Sequence, residues 1–354
     1  MELIPGLPDD VARECLIRMA HQDFHTVAST CRNWKSEIQS PDFWRRRNTV
    51  GCTQTLILMT QAVYQGREFA TTKYLASPTY RLTVFEPATG NWSELNPNPG
   101  KSNGLPMFCQ LVRVGSELVV LGGWDPATWS ASNAVFIYNF LLNRWRRGAD
   151  MPGVRRSFFA CASDSDRTVF VAGGHDDHKN ALRSAMVYNV AKDEWLSVAD
   201  MARERDECKG LFRCGKFHVI GGYPTESQGR FESSAEAFDS STWQWDQLSD
   251  EFLDAGMCPR TCVSGTDGLL YLCRDGEVAA RHDATWKKVA DLPSEVQKIA
   301  YVVAWGDKLL VIGSRIFGEP HTAYVLDTKR LTWTKMVVPE EFCTHVQSAC
   351  SLEL

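Results

Sequence analysis

Six tryptophans place the strongest constraint on what this chain can fold into. They stand at positions 92, 145, 195, 245, 286 and 333, with successive gaps of 53, 50, 50, 41 and 47 residues. Seven residues before them lie Phe85, Tyr138, Tyr188, Phe238, Ala279 and Leu326. The intervening segments read as a strand ending on an aromatic, a turn rich in Asn, Asp, Gly or Lys, and a strand opening with Trp. Self-similarity at this period indicates a propeller or a solenoid. A second mark separates the two. Gly122-Gly123, Gly173-Gly174 and Gly221-Gly222 close the apolar runs 118–121, 169–172 and 217–220, and Gly313 alone closes 309–312. Two glycines after a strand imply a tight bend and close backbone approach. No 3.6-residue pattern runs within a period, which argues against helical solenoids. One period is therefore four antiparallel strands, a propeller blade.

Six blades are expected, at about 56–95, 105–146, 155–196, 204–248, 258–289 and 297–336. Blade five is the weakest, with Asp275-Gly276 near the place of its missing Gly pair. Blade one lacks a first strand. Residues 344–352 resemble the first strand of blade three and supply one, closing the ring and hiding sheet edges. Domain limits follow as 1–48, a linker 49–55, and a propeller 56–354. Hydrophobic residues at 44% and charged residues at 23% suit an ordered chain.

The first fifty residues have another grammar. Leu7-Pro8-Asp9-Asp10 puts a rigid turn and an acidic cap before a helix over 11–19, with Val11, Cys15, Leu16 and Met19 on one face. Val27, Cys31, Trp34 and Ile38 form a second amphipathic face, stopped by Ser40-Pro41. So short a segment cannot bury a large core, yet it is rich in apolar residues. Two readings stay open from composition: a partner-facing surface, or docking on the propeller.

The double glycines, the aromatic–Trp spacing, and Met151-Pro152 and Met201-Ala202 ahead of Arg-containing strands resemble the kelch repeat. Leu7-Pro8-Asp9-Asp10-Val11, Leu16-Ile17, Cys31-Arg32-Asn33-Trp34-Lys35 and Ser40-Pro41-Asp42-Phe43-Trp44 resemble an F-box. The resemblance implies a mainly β fold, a six-bladed kelch β-propeller preceded by a small α-helical F-box. It also implies that Leu7, Pro8, Val11, Leu16, Ile17, Val27, Cys31 and Trp34 are core or face a Skp-type adaptor of a cullin–RING ubiquitin ligase. The arrangement is similar to a plant F-box/kelch subgroup that turns over phenylalanine ammonia-lyase, with relatives tied to type-B response regulators of cytokinin signalling. Relatives with a light-sensing domain are not expected, since six residues precede Leu7.

A net charge of −5 gives no footprint for nucleic acid, and Arg45-Arg46-Arg47 is too short for a membrane patch. No signal peptide is legible, so the twelve cysteines are expected reduced and the chain cytoplasmic or nuclear. Cys109, Cys161, Cys208, Cys262 and Cys350 recur in first strands and read as small packing residues. No C-x2-C pair suggests zinc, His175 and His178 beside Asp176 and Asp177 read as a solvated loop, and no nucleophile or acid–base pair is evident. No catalytic residue, metal or cofactor is expected. The residues singled out for a target protein are Trp124, His175 and Tyr223, just after the Gly pairs, and Arg155, Arg156, Arg203, Arg205 and Arg260, near the starts of first strands. Together they predict a basic, aromatic-rimmed cup for an acidic surface. A non-ligase kelch scaffold and a propeller enzyme are the alternatives.

Overall fold

The chain is described by a computed structural model over residues 2–63, 79–95, 104–125 and 128–354. Met1, residues 64–78 of the expected first blade, residues 96–103, and residues 126 and 127 of the second lie outside the described residues.

Four helices come first: α1 (Asp9–Ile17), α2 (Phe24–Thr30), α3 (Arg32–Ile38) and α4 (Pro41–Thr49). The single helix expected across 27–38 is broken at Cys31, whose backbone is extended (φ −151°, ψ 142°). Ser29 and Thr30 donate their hydroxyls back to the Thr26 carbonyl at 2.7 and 2.8 Å, a local bond that competes with helix continuation. Ser40-Pro41 ends one helix and also starts the next. Ser40 Oγ accepts the Phe43 amide at 3.2 Å, and Pro41 occupies the first turn, where its missing N–H costs nothing. Asp9 lies in the first turn of α1, but its carboxylate accepts from the Leu3 amide at 3.0 Å and does not cap the helix.

Six antiparallel four-stranded sheets follow among the described residues. Their inner strands are Val346–Glu353 in blade one, then Gln110–Val114, Ala160–Ser163, Lys209–Arg213, Val263–Ser264 and Lys298–Trp305. Val346–Glu353 pairs with Thr55–Val63, setting Leu56 opposite Leu352 and Met59 opposite Ala349, and packs between the inner strands of blades six and two. The ring is thus closed by the far end of the chain.

The tryptophan spacing has a direct cause. Phe85, Tyr138, Tyr188, Phe238 and Leu326 lie opposite Trp92, Trp145, Trp195, Trp245 and Trp333 across the third and fourth strands. The Tyr188 and Trp195 rings stack at 4.8 Å. The indole N–H groups of Trp195, Trp245, Trp286 and Trp333 donate to Ala149, Ala199, Phe252 and Asp291 at 2.7–2.9 Å. Each therefore packs within its own blade and ties back to a segment ahead of it. Blade five departs from the pattern. Trp286 faces Arg281, and Ala279 faces Lys288, so the seven-residue match there is coincidental.

The paired glycines behave as expected. Gly123 has φ +85°, and a Cβ there would stand 2.5 Å from the Met107 carbonyl oxygen. Gly313, by contrast, lies inside the strand Lys308–Ser314 and does not end it. In blade five the Asp275-Gly276 turn joins Leu270–Arg274 directly to Glu277–His282, and no loop rises between them.

Candidate functional site

All six inner strands run in one direction, so their first residues surround one mouth of the central channel and their last residues the other. The helical segment sits at the second mouth: Thr55, just after it, pairs with Glu353 at the end of the closing strand. Leu16, Ile17, Phe24, Ile38 and Phe43 share one continuous core with blades one and two, reaching Phe140 and Leu141 in a turn on that side. Docking on the propeller is therefore real. It does not consume every apolar residue.

Of the residues implied to be core or adaptor-facing, Leu16 and Ile17 are core, at 2% and 1% exposure. Val27, Cys31 and Trp34 are half-buried, and the Trp34 indole donates to the Leu3 carbonyl. Leu7 (36%), Pro8 and Val11 (43%) are exposed, joined by Cys15. The expected single face of α1 is thus split. Ala12, Leu16 and Ile17 turn inward; Val11 and Cys15, one turn apart, turn outward beside Leu7-Pro8.

Arg47 fastens this segment to the ring. Its guanidinium, 1% exposed, donates to the carbonyls of Ile17 (2.6 Å), Met19 (2.7 Å), Cys52 (2.7 Å) and Leu354 (3.2 Å), and lies 5.0 Å from the centre of the Phe24 ring. Burial lowers its pKa below the ordinary arginine value. Arg45 and Arg46 are surface residues paired with Asp42 at 3.1 and 2.8 Å. The run of three arginines therefore holds two roles that its sequence does not distinguish.

The first mouth gathers the segments that precede the inner strands and the loops after the Gly pairs, the two sets expected to form a cup. Several of the expected members are committed elsewhere. Arg156 is 2% exposed and bonds the carbonyls of Gly173 and Ser184 and the Ser184 hydroxyl; desolvation pushes its pKa down to about 10. Arg205, 1% exposed, makes the equivalent bonds to Gly221 and Ser234 and pairs with buried Glu236 at 3.1 Å. Both satisfy backbone groups freed by the glycine bend, so neither faces a partner. Arg203 is paired with Glu232 and Asp250. Arg155 and Arg260 are exposed and have no ion pair among the described residues.

The aromatics divide similarly. Tyr223 is buried against Phe231 and donates its hydroxyl to Glu207 at 2.9 Å. His175 is 7% exposed, with Nε2 2.8 Å from Ser157 Oγ and Nδ1 2.8 Å from Asp206 Oδ2. These contacts have the order of a serine–histidine–aspartate relay. Ser157, however, is fully buried in a backbone bridge to His175, so its oxygen has no approach to a substrate carbonyl. His175 is therefore no part of a solvated loop, and neither it nor Tyr223 is an exposed anchor. Trp124 is half-buried, 6.4 Å from His175. Outward aromatics on this side include Trp129, 58% exposed, and two that the sequence reading missed, Phe317, 85% exposed, and Phe108, 36% exposed; Phe158, also missed, is half-buried beside Phe108. The Phe108 and Phe158 rings lie 4.7 Å apart, tilted at 37°.

Phe108, Phe158 and Glu207 hold one repeat position, two residues ahead of the inner strand, with φ of 57°, 55° and 49°. Left-handed backbone at a bulky residue stores strain of about 1–3 kcal/mol and concentrates at functional sites. Aligning the repeats on their Gly pairs, 14 or 15 residues downstream, would have exposed that position. Cys109 and Cys208 share the next position with Phe159, and Cys161 lies two residues further on, so the recurrence of cysteine is looser than its spacing suggested. Burial pushes the Cys109 and Cys262 thiols up to about 12 and Cys208 to about 11, unsuited to thiolate chemistry. Behind the mouth lies a channel of about 310 Å³, bordered there by Phe108, Phe158, Lys209, Arg260, Tyr301 and Gln347. No group of three or more His, Cys, Asp or Glu side chains that could hold a metal occurs among the described residues, and no helix among them is long and apolar enough to cross a membrane.

Comparison with known proteins agrees with this organisation. The F-box domain family matches residues 4–46, and the kelch motif matches 108–152 and 155–202. Two F-box/kelch-repeat proteins of Arabidopsis thaliana are each 49% identical to the chain, with both partners covered completely. A third from that plant is 38% identical over 75% of this chain and 69% of its own. The solved structure of YjhT matches with a TM-score of 0.59 at 13% identity, covering 73% of this chain and 91% of that one, a likeness of fold alone.

Proposed function

The chain belongs to the F-box/kelch-repeat family, and from that premise we propose that it is the substrate-recognition subunit of an SCF-type ubiquitin ligase. The helical segment binds a Skp-type adaptor through Leu7, Pro8, Val11 and Cys15. The propeller holds a target protein at the opposite mouth through Phe108, Phe158, Trp129, Arg155 and Arg260. Proximity is the whole contribution to catalysis; the thioester chemistry belongs to a conjugating enzyme brought by the ligase. The target is phenylalanine ammonia-lyase, on the strength of the resemblance to the subgroup that turns that enzyme over.

The observation that supports this reading is the exposure of apolar and cationic side chains at two opposite ends of the molecule, Leu7 and Val11 at one, Trp129, Phe108 and the arginines without an ion pair, Arg155 and Arg260, at the other. Two capture experiments test it. Leu7→Asp with Val11→Asp should abolish adaptor capture without shifting the melting temperature, since both side chains are exposed. Arg155→Glu and Phe108→Gly should each reduce capture of the lyase with adaptor binding intact. Adaptor capture unchanged in the double variant rejects the ligase role, and lyase capture unchanged in both cup variants rejects the target face.

A further inference from the structure

The channel behind the first mouth is built in tiers. Gln110, Lys209 and Tyr301 face Leu121, Ile220 and Ile312 across their sheets, each the residue just before a repeat glycine. They therefore stand at one level, on blades two, four and six, and all three line the channel. The Lys209 ammonium donates to the Tyr301 hydroxyl at 3.2 Å and lies 4.8 Å from the centre of that ring. Blade five stands between these two blades, so the lysine projects into the lumen past its two-residue inner strand. Its charge acts on the thiols of Cys161 and Cys258, from blades three and five, and it has no carboxylate partner among the described residues. The half-buried Gln110 carboxamide makes no hydrogen bond among them. Two residues nearer the mouth, up to about 7 Å along the strand, comes an aromatic tier of Phe108 and Phe158. The Phe108 amide donates to the Gln347 side-chain oxygen at 2.7 Å, and Phe158 stacks on His175 at 5.4 Å, so both rings are held in place. Glu207 takes the same position on blade four and is the sole carboxylate among the lining residues.

An ammonium drawn partly out of water with no counter-charge is costly, and an anion that joins it recovers that cost. The lysine keeps two N–H donors for a ligand and the carboxamide offers two more, a set that suits the two oxygens of a carboxylate. One lumen charge matches one carboxylate. Glu207, in the tier above, repels a second negative group, which disfavours dicarboxylates and phosphate dianions. The aromatic tier offers ring faces and edges to a flat apolar body. At about 310 Å³ the channel lies at the small end of ligand sites, which run to about 1,000 Å³, and has room for one ring with a short polar head. The distance between the tiers is close to the length of such a molecule.

We propose that the channel is a binding site for a small aromatic monocarboxylate, its carboxylate on Lys209 and Gln110 and its ring against Phe108 and Phe158. The site lies inside the ring and stands whether or not the mouth is a target face. Equilibrium dialysis of the full chain against benzoate, its neutral counterpart benzamide, and acetate tests it. Benzoate should bind at least tenfold more tightly than either of the other two. Lys209→Met, which keeps the bulk and removes the charge, should bring benzoate down to the level of benzamide. Gln110→Leu, on another blade, should weaken benzoate several-fold and carries the same test independently of how the methionine variant folds. Phe108→Gly should remove most of the advantage of benzoate over acetate while the preference for acid over amide survives. Glu207→Gln should tighten benzoate, because the opposing charge is gone. Benzoate that fails to bind, or binds no better than benzamide, overturns the proposal. Benzoate binding that is unchanged in both Lys209→Met and Gln110→Leu puts the acid elsewhere and overturns it too.

Discussion

Replacing Arg47 by methionine removes the guanidinium that joins the helical segment to the closing strand while keeping similar bulk against Phe24. Four hydrogen bonds disappear. Leu354 keeps the Gln54 amide as a donor at 2.7 Å, so three carbonyls, of Ile17, Met19 and Cys52, lose a charged donor. At about 1–3 kcal/mol for each buried acceptor left unmet, the gross loss is about 3–9 kcal/mol. Methionine also escapes the cost of desolvating a charge, several kcal/mol in a buried site, so the net destabilisation should be about 3 kcal/mol. Urea unfolding of the full chain measures it, and limited proteolysis at residues 50–54 reports whether the segment has loosened. Arg47→Lys should fall between, because an ammonium cannot span acceptors set around a planar fork. A methionine variant within about 1 kcal/mol of the parent, with its cleavage pattern unchanged, would refute the idea that this residue holds the two parts together.

Gly174→Ala should prevent folding or cost several kcal/mol, since a Cβ would overlap the Ser157 carbonyl oxygen at a φ of +80°; a soluble variant with native melting would contradict the bend. Phe108→Gly should leave stability equal or raised by up to about 1 kcal/mol, by relieving left-handed backbone, while lyase capture falls; a large drop in melting temperature would assign Phe108 to the core. Acid should destabilise the chain between pH 6.5 and about 4. His218 and His321 are pushed down to about 4, first by burial and then by neighbouring Arg213 and His345, so the native state refuses protons that the unfolded chain accepts near pH 6.5. Their contribution is complete above pH 6.5 and lost as pH falls to about 4. Replacing both with glutamine should flatten that stretch of a pH–stability curve; an unaltered slope would exclude them as its source.

What the sequence made legible depended on how far apart the interacting groups lie. The Trp–aromatic pairs face each other across one short turn, so their spacing is written locally and predicts the blade. The closing strand was legible because its composition repeats that of another inner strand. The arginines failed this test. Arg155 and Arg156 are adjacent, yet one is exposed and the other is spent on the carbonyl of Gly173 and on Ser184, partners known only once the glycine bend is built. Arg47 finds Leu354 across 307 positions, a distance at which no periodicity operates. Trp286 shows the opposite error: its spacing to Ala279 matches the repeat, but a shorter turn shifts the register and Arg281 takes the facing place.

The ring closure and the attachment of the helical segment are one structural event. Gln54, at the exit from the helices, exchanges both backbone hydrogen bonds with Leu354 at 2.7 and 2.9 Å, and its side-chain oxygen accepts the His21 amide at 2.7 Å. Arg47 adds its bond to the same Leu354 carbonyl. The strand that completes blade one is therefore held at its outer end by the adaptor-side segment. That strand begins at the first mouth, where His345 and Gln347 border the channel. An inner strand of eight residues spans about 26 Å at about 3.3 Å per residue. The two mouths are thus separated by a rigid element that both require. Under the proposed function this is the relevant mechanical property: the first mouth cannot tilt freely against the helical segment, because the same hydrogen bonds that seal the ring also fix the helices to it.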